Sequence, residues 1–156
     1  MKILGIRNCS EGIRYCILEI ETSGDVICKN LDKENLIQVP REYENCEDML
    51  IWYKNEINRI IDNEICINSI ALKHNENIRS DCYSNLKKVM FMDCIVTLVA
   101  KERGIWFNSY VYNQLGVNSK NVQKIAESKL GKTCKHWNKN MADAMIVALK
   151  QTEYDV

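Results

Sequence analysis

The 156-residue chain contains one proline, six glycines and two histidines. So little proline and glycine excludes collagen-like and low-complexity architectures. No segment repeats at a fixed period, which excludes a solenoid. Neither Gly-x-Gly-x-x-Gly nor Gly-Lys-Ser/Thr occurs, so nucleotide cradles of those kinds are absent. Neither charge is in excess: 21 Lys plus Arg offset 21 Asp plus Glu. A globally basic nucleic-acid binder is thereby excluded, but a local patch is not. The longest nearly apolar run, Val89–Ala100, spans twelve residues and contains Asp93. It is too short to cross a bilayer, so no membrane role is expected. The opening Met1-Lys2-Ile3-Leu4-Gly5-Ile6 reads as strand and does not resemble a secretory leader.

What is present suits a globular fold. Apolar residues make up 46% and charged residues 27%, and the length fits one domain over residues 1–156. Eight cysteines stand at 9, 16, 28, 46, 66, 82, 94 and 134 with no Cys-x-x-Cys spacing. A zinc ribbon or thioredoxin-type site is therefore not expected. Cys16, Cys66 and Cys94 lie in apolar segments, where a thiol behaves as a small hydrophobe. Reduced thiols and a cytoplasmic location follow. Cys134-Lys135-His136, even joined by His74, offers too few convergent ligands for a metal. The 19 Ile and 17 Asn suggest an AT-rich coding sequence, bacterial or phage.

Charge is unevenly distributed. Residues 1–64 carry a net −5, whereas residues 119–140 carry Lys120, Lys124, Lys129, Lys132, Lys135 and Lys139 against Glu127 alone. This is either a solvated helix face or a phosphate-facing patch. Trp137 lies within it, as a stacking group or as a packing anchor for the last helix.

Hydrophobic periodicity gives the order β-β-β-α-β-α-β-α-α. Strands are expected at 2–8, 12–22 and 26–30, joined by turns at Asn8–Gly12 and Ser23–Asp25. Residues 31–41 read as a polar connection. Residues 42–63 form an amphipathic helix on Leu50, Tyr53, Ile57, Ile60 and Ile61, with Glu42, Glu44, Glu47 and Asp48 suiting its N-terminal dipole. Ile65–Leu72 is a central, parallel strand. After a polar loop, a helix capped by Ser80 or Asp81 runs to about Arg103, and its apolar middle predicts deep packing on every side. Gly104 stops it, and Ile105-Trp106-Phe107 opens a fifth strand. A helical turn is open at 110–116. Ser119 caps a helix to Leu130, and a last helix covers about 139–151. The fold class is α/β: a mixed five-stranded sheet, three antiparallel strands then two parallel, flanked by helices.

Three segments resemble the RNase H-like superfamily, closest to its RuvC-type branch of Holliday junction resolvases. They are Met1-Lys2-Ile3-Leu4-Gly5-Ile6-Arg7-Asn8-Cys9-Ser10, Ser69-Ile70-Ala71-Leu72-Lys73 and Met141-Ala142-Asp143-Ala144-Met145-Ile146-Val147-Ala148-Leu149. They resemble the first strand, the fourth strand and the final helix of that branch. The chain also resembles a small uncharacterised group of RuvC-like bacterial proteins. The resemblance implies clustered carboxylates holding two divalent metals about 4 Å apart at a phosphodiester. Active members carry Asp on the first strand, Glu on the fourth, and one or two Asp on the last helix. Here those positions hold Arg7, Lys73 or its neighbour His74, and Asn140 one turn before Asp143. Unit charges 4 Å apart in an effective dielectric of about 20 interact by roughly 4 kcal/mol. Two cations would therefore repel Mg²⁺ and pair with Asp143 instead.

The expected function is thus a catalytically degenerate RuvC-like module that binds DNA or RNA through the late lysines, or binds a protein partner, with no cofactor. The alternative is a metal-dependent endonuclease using Mg²⁺ or Mn²⁺ at a rearranged site, with Glu11, Glu76 or Asp81 drawn in from loops and His74 as general base. A third option is an oligomeric scaffold, homodimeric or larger, using Trp52, Tyr110 or Tyr112.

Overall fold

A computed structural model of the chain describes residues 1–43, 46–76 and 83–155. Among the described residues, eleven elements follow one another: β1 (Lys2–Cys9), β2 (Gly12–Ile20), β3 (Val26–Cys28), β4 (Leu36–Gln38), α1 (Cys46–Asn63), β5 (Ile67–Lys73), α2 (Tyr83–Glu102), β6 (Trp106–Tyr110), α3 (Tyr112–Leu115), α4 (Val122–Leu130) and α5 (Lys139–Asp155). The sheet runs β3-β2-β1-β5-β6, with β4 also paired to β2. The β1–β2, β2–β3 and β2–β4 pairs are antiparallel. The β1–β5 and β5–β6 pairs are parallel, each joined through a helix, as parallel neighbours require.

The mixed sheet is as expected but holds six strands. The extra one, β4, lies within the expected polar connection. It is only three residues long, and what places it is Gly12 opposite: a Cβ there would meet Ile37 O at 1.9 Å. The anticipated cap at Ser80 or Asp81 and the acidic Glu44 fall outside the described residues. Ser119 does not cap α4. The helix begins at Val122 behind Asn121, and Asn118 organises the approach by accepting from the backbone N–H groups of Lys120 and Asn121.

Side-chain alternation divides the core in two. Leu4, Ile6, Ile70 and Leu72 face α1 and α2. Ile3, Cys16, Leu18 and Ala71 face α4 and α5. The α5 contact is unusually close, because the helix sequence is Ala142-Asp143-Ala144 and the strand beneath it has Gly5. A Cβ on Gly5 would lie 2.1 Å from Ala144 O and 2.7 Å from Ala148 Cβ. Gly5→Ala must push the helix outward. Urea unfolding is expected to show a loss of about 1–3 kcal/mol or more, the range for overpacking.

The second helix is packed on one side only, contrary to the expectation of deep burial. Val89, Met92, Val96 and Val99 are buried, but Met90, Phe91, Cys94 and Leu98 are exposed. Likewise only Cys16 of the three apolar-segment cysteines is buried; Cys66 is exposed and takes φ 62°. Among the described residues no helix is long and apolar enough to cross a membrane.

Candidate functional site

The C-terminal ends of β1 and β5 lie side by side at the centre of the sheet, where parallel strands usually present a site. Alternation assigns their last residues to opposite faces. Gly5 and Ala71 face α5, so Arg7 and Lys73 do too, and there they meet Asp143. Ile6 and Leu72 face α2, so Asn8 and His74 follow them and meet Asp93. The sheet thus separates two polar clusters.

On the α5 face, Asp143 has no exposed surface, Lys73 is 1% exposed and Arg7 is 8% exposed. Arg7 Nε lies 3.5 Å from Asp143 Oδ2, an ion pair too long and poorly aligned to be a hydrogen bond. Both atoms are buried without hydrogen-bond partners. The rest of the guanidinium is engaged: Nη1 donates to Lys73 O at 3.0 Å, and Nη2 donates to Asn75 Oδ1. The Tyr112 hydroxyl donates to Asp143 Oδ1 at 2.7 Å. Lys73 does not take Asp143 as its ion-pair partner, as the sequence suggested. Its ammonium bonds Glu76 Oε2 at 2.5 Å and His74 O at 2.7 Å, and stands 3.9 Å from the centre of the Tyr112 ring. Glu76 in turn accepts from the Tyr112 backbone N–H at 3.0 Å. Instead of lying free in solvent, Glu76 ties the β5 exit to α3.

Burial dominates the electrostatics. It pushes the Asp143 carboxyl above its ordinary range despite the Tyr112 hydroxyl, Arg7 and Lys73, which favour the anion. It likewise lowers the Lys73 ammonium, against the opposing pull of Glu76. The Tyr112 phenol is raised by burial and by Asp143. Burial also acts on Glu76, but the bonds from Lys73 and the Tyr112 N–H hold it below the usual carboxylate range.

The two divalent metals implied by the resemblance do not fit these residues. Their ligand positions hold one carboxylate and two cations. One oxygen of that carboxylate is occupied by Tyr112, and the other faces a guanidinium. Mg²⁺ needs several oxygen ligands in near-octahedral array.

The remaining candidates are dispersed. Asn140 lies half-buried on the first turn of α5. His74 points to the opposite face of the sheet. Glu11 pairs with Arg14 at 3.0 Å, and Asp81 lies outside the described residues. Lys120, Lys124, Lys129, Lys132 and Lys135 are exposed on α4 and its flanking loops, and Lys132 reaches Glu127 at 3.4 Å. Lys139 is half-buried, 5.8 Å from the Tyr112 ring centre. Trp137 is partly buried against the α5 core. Cys134 and His136 are exposed, and among the described residues no three His, Cys, Asp or Glu gather as a metal-holding group. Sequence reading gave Tyr112, Asn8, Tyr53 and Asp93 no place in a site.

Strand order, the two parallel crossovers and the final helix laid across the first strand define an RNase H-like fold, in its RuvC arrangement. The structure of RuvC from Thermus thermophilus in complex with a Holliday junction substrate matches with a TM-score of 0.78 at 15% identity. The match covers 99% of this chain and 95% of that one. A second Thermus thermophilus RuvC structure matches at 0.76 and 16% identity over the same shares. The yeast mitochondrial Holliday junction resolvase Ydc2 matches at 0.60 and 17% identity, covering 94% of this chain and 75% of that one. No protein-family model matches the chain, and no curated protein sequence matches it significantly.

Proposed function

We propose that the chain is a RuvC-like nucleic-acid-binding module whose central site has exchanged metal-supported hydrolysis for a structural ion-pair network. The observation that carries this reading is the buried cluster of Arg7, Asp143 and Lys73 at the ends of β1 and β5. Cations stand where dications would have to bind, and the buried Asp143 carboxylate has one oxygen bonded by Tyr112 and the other facing Arg7. The fold match supports the nucleic-acid half, since one matching RuvC structure holds a Holliday junction. Five exposed lysines between residues 120 and 135 supply the charge for phosphate contacts, which give affinity without sequence preference.

Binding to single-stranded, duplex and branched DNA and to RNA should be titrated against salt. Binding is expected to weaken with salt, to persist in EDTA and to leave the nucleic acid uncut in Mg²⁺ or Mn²⁺. Lys132→Gln with Lys135→Gln should reduce the slope of log K against log salt by about 2, roughly one per lost phosphate contact. Cleavage in Mn²⁺ that Asp143→Asn abolishes would establish the endonuclease alternative instead. A flat salt response without binding would leave a scaffold or protein-partner role.

A further inference from the structure

The second polar cluster, on the α2 face, plays no part in the ion-pair network. It is a single hydrogen-bonded chain. The Tyr53 hydroxyl, fully buried, donates to Asn8 Oδ1 at 2.6 Å. Asn8 Nδ2 donates to Asp93 Oδ1 at 2.8 Å. Asp93 Oδ2 lies 3.1 Å from His74 Nδ1. The ionised carboxylate can only accept, so the proton sits on His74 Nδ1, and Nε2 is left at the other end of the ring. Three elements, α1, β1 and α2, therefore fix the orientation of one imidazole, whose side chain is 42% exposed. A buried polar chain of this kind is costly unless every member is satisfied, and it ends at a cavity.

That cavity, about 280 Å³, is lined by His74, Asn75, Leu86, Met90 and Thr97 among others. Its walls are mainly apolar, and its polar groups are few and oriented, the pattern of a small-ligand pocket. In the neutral ring with its proton on Nδ1, His74 Nε2 is an acceptor. Asn75 Oδ1 is taken by Arg7, so the amide presents its N–H donors. Neighbouring acceptor and donor match the edge of a nucleobase, which carries the same two functions side by side. Leu86 and Met90 supply apolar contact for the faces of a ring. A free phosphate suits this pocket poorly, because the adjacent guanidinium is already committed to Asn75, Lys73 O and Asp143.

We infer that this cavity receives one unpaired nucleobase of a bound nucleic acid, read on its edge by His74 and Asn75 and packed against Leu86 and Met90. The inference rests on the nucleic-acid reading above and adds the part of the ligand that the lysines do not touch. Recognition of splayed-out bases is the usual route to selectivity on unpaired strands.

The test uses the full chain, free 2′-deoxynucleosides, and a short single-stranded oligonucleotide with and without a central abasic position. Nucleosides should shift the His74 imidazole ¹⁵N resonances saturably. The intact oligonucleotide should bind about tenfold tighter than its abasic twin, a difference of about 1.4 kcal/mol. His74→Ala, at a side chain that bears no core packing, should erase that difference and leave the salt slope unchanged. Met90→Asn, an uncharged change at a position 57% exposed, should do the same. Equal binding of the intact and abasic strands overturns the pocket and leaves the nucleic-acid reading standing. Binding of neither strand overturns that reading. Nucleosides that leave His74 unmoved in that case overturn the pocket as well. A shift of His74 by nucleosides alone would instead support the pocket as a small-molecule base site.

Discussion

Asp143→Ala is expected to lower stability by about 3–5 kcal/mol, the usual result of removing one partner from a buried ion pair. Arg7 cannot lose its proton, and with 8% exposure it has little water to replace the carboxylate. The Tyr112 hydroxyl loses its acceptor as well. The double variant Arg7→Met, Asp143→Leu is expected to recover most of that loss, because removing both charges removes the burial cost with them. Urea unfolding of the three proteins checks this directly. Near-equal stability of wild type and Asp143→Ala would mean that the pair does not hold the fold.

The pH dependence has a definite sign. Burial raises the Asp143 carboxyl above its ordinary value in the folded state. A raised group binds its proton more readily when folded, so its stabilising contribution is complete below the unfolded value of about 3.9 and is lost as pH rises through the folded one. Acidification across that window should therefore raise the stability of the wild type relative to Asp143→Asn.

Much of the fold could be read from sequence because period-2 and period-3.6 patterns were strong where burial was deep. β1, β2, β5 and α1 are such segments. The pattern failed where a different constraint ruled. Leu36-Ile37-Gln38 is too short to show alternation, and its pairing depends on Gly12, a residue on another strand. The apolar run in α2 could not disclose its open side, since Met90, Phe91 and Leu98 are as apolar as the buried residues between them. Asn121 rather than Ser119 precedes α4 because Asn118 organises the turn, a local geometry that competing Asn and Ser residues do not disclose.

The site was legible in one respect. The family resemblance placed Arg7, Lys73 and Asp143 at one site, and the structure brings them together, with both cations at strand ends and Asp143 on the helix over them. Their partners were not legible. Glu76 reaches Lys73 from a loop, and Tyr112 reaches Asp143 from a four-residue helix, and neither shares a periodic pattern with its target. Asp93 looked like a lone charge in an apolar helix. Its donors, Asn8 and His74, sit 85 and 19 residues away, a pairing that only the parallel crossover creates.

The largest qualitative change is expected from reversing both cations. Arg7→Asp with Lys73→Glu would put three carboxylates around one buried spot. In metal-free buffer they repel one another by roughly 3–4 kcal/mol per pair at 4–5 Å with an effective dielectric near 20, so the variant should be much less stable than wild type. A divalent cation supplies the missing counter-charge. Ligand that binds only the folded state stabilises it by about 2.7 kcal/mol at 100 times its dissociation constant. For a domain of this size that corresponds to a rise of about 5–10 °C in Tm on adding Mg²⁺. The wild-type Tm should stay unchanged under the same titration, because Arg7 and Lys73 already neutralise Asp143 and Glu76. A folded double variant indifferent to Mg²⁺ would mean that these positions do not converge closely enough to form a metal site. A Mg²⁺-dependent rise in the wild type that Asp143→Asn abolishes would mean that the native cluster holds the ion despite its cations, and the structural reading of the site would fall.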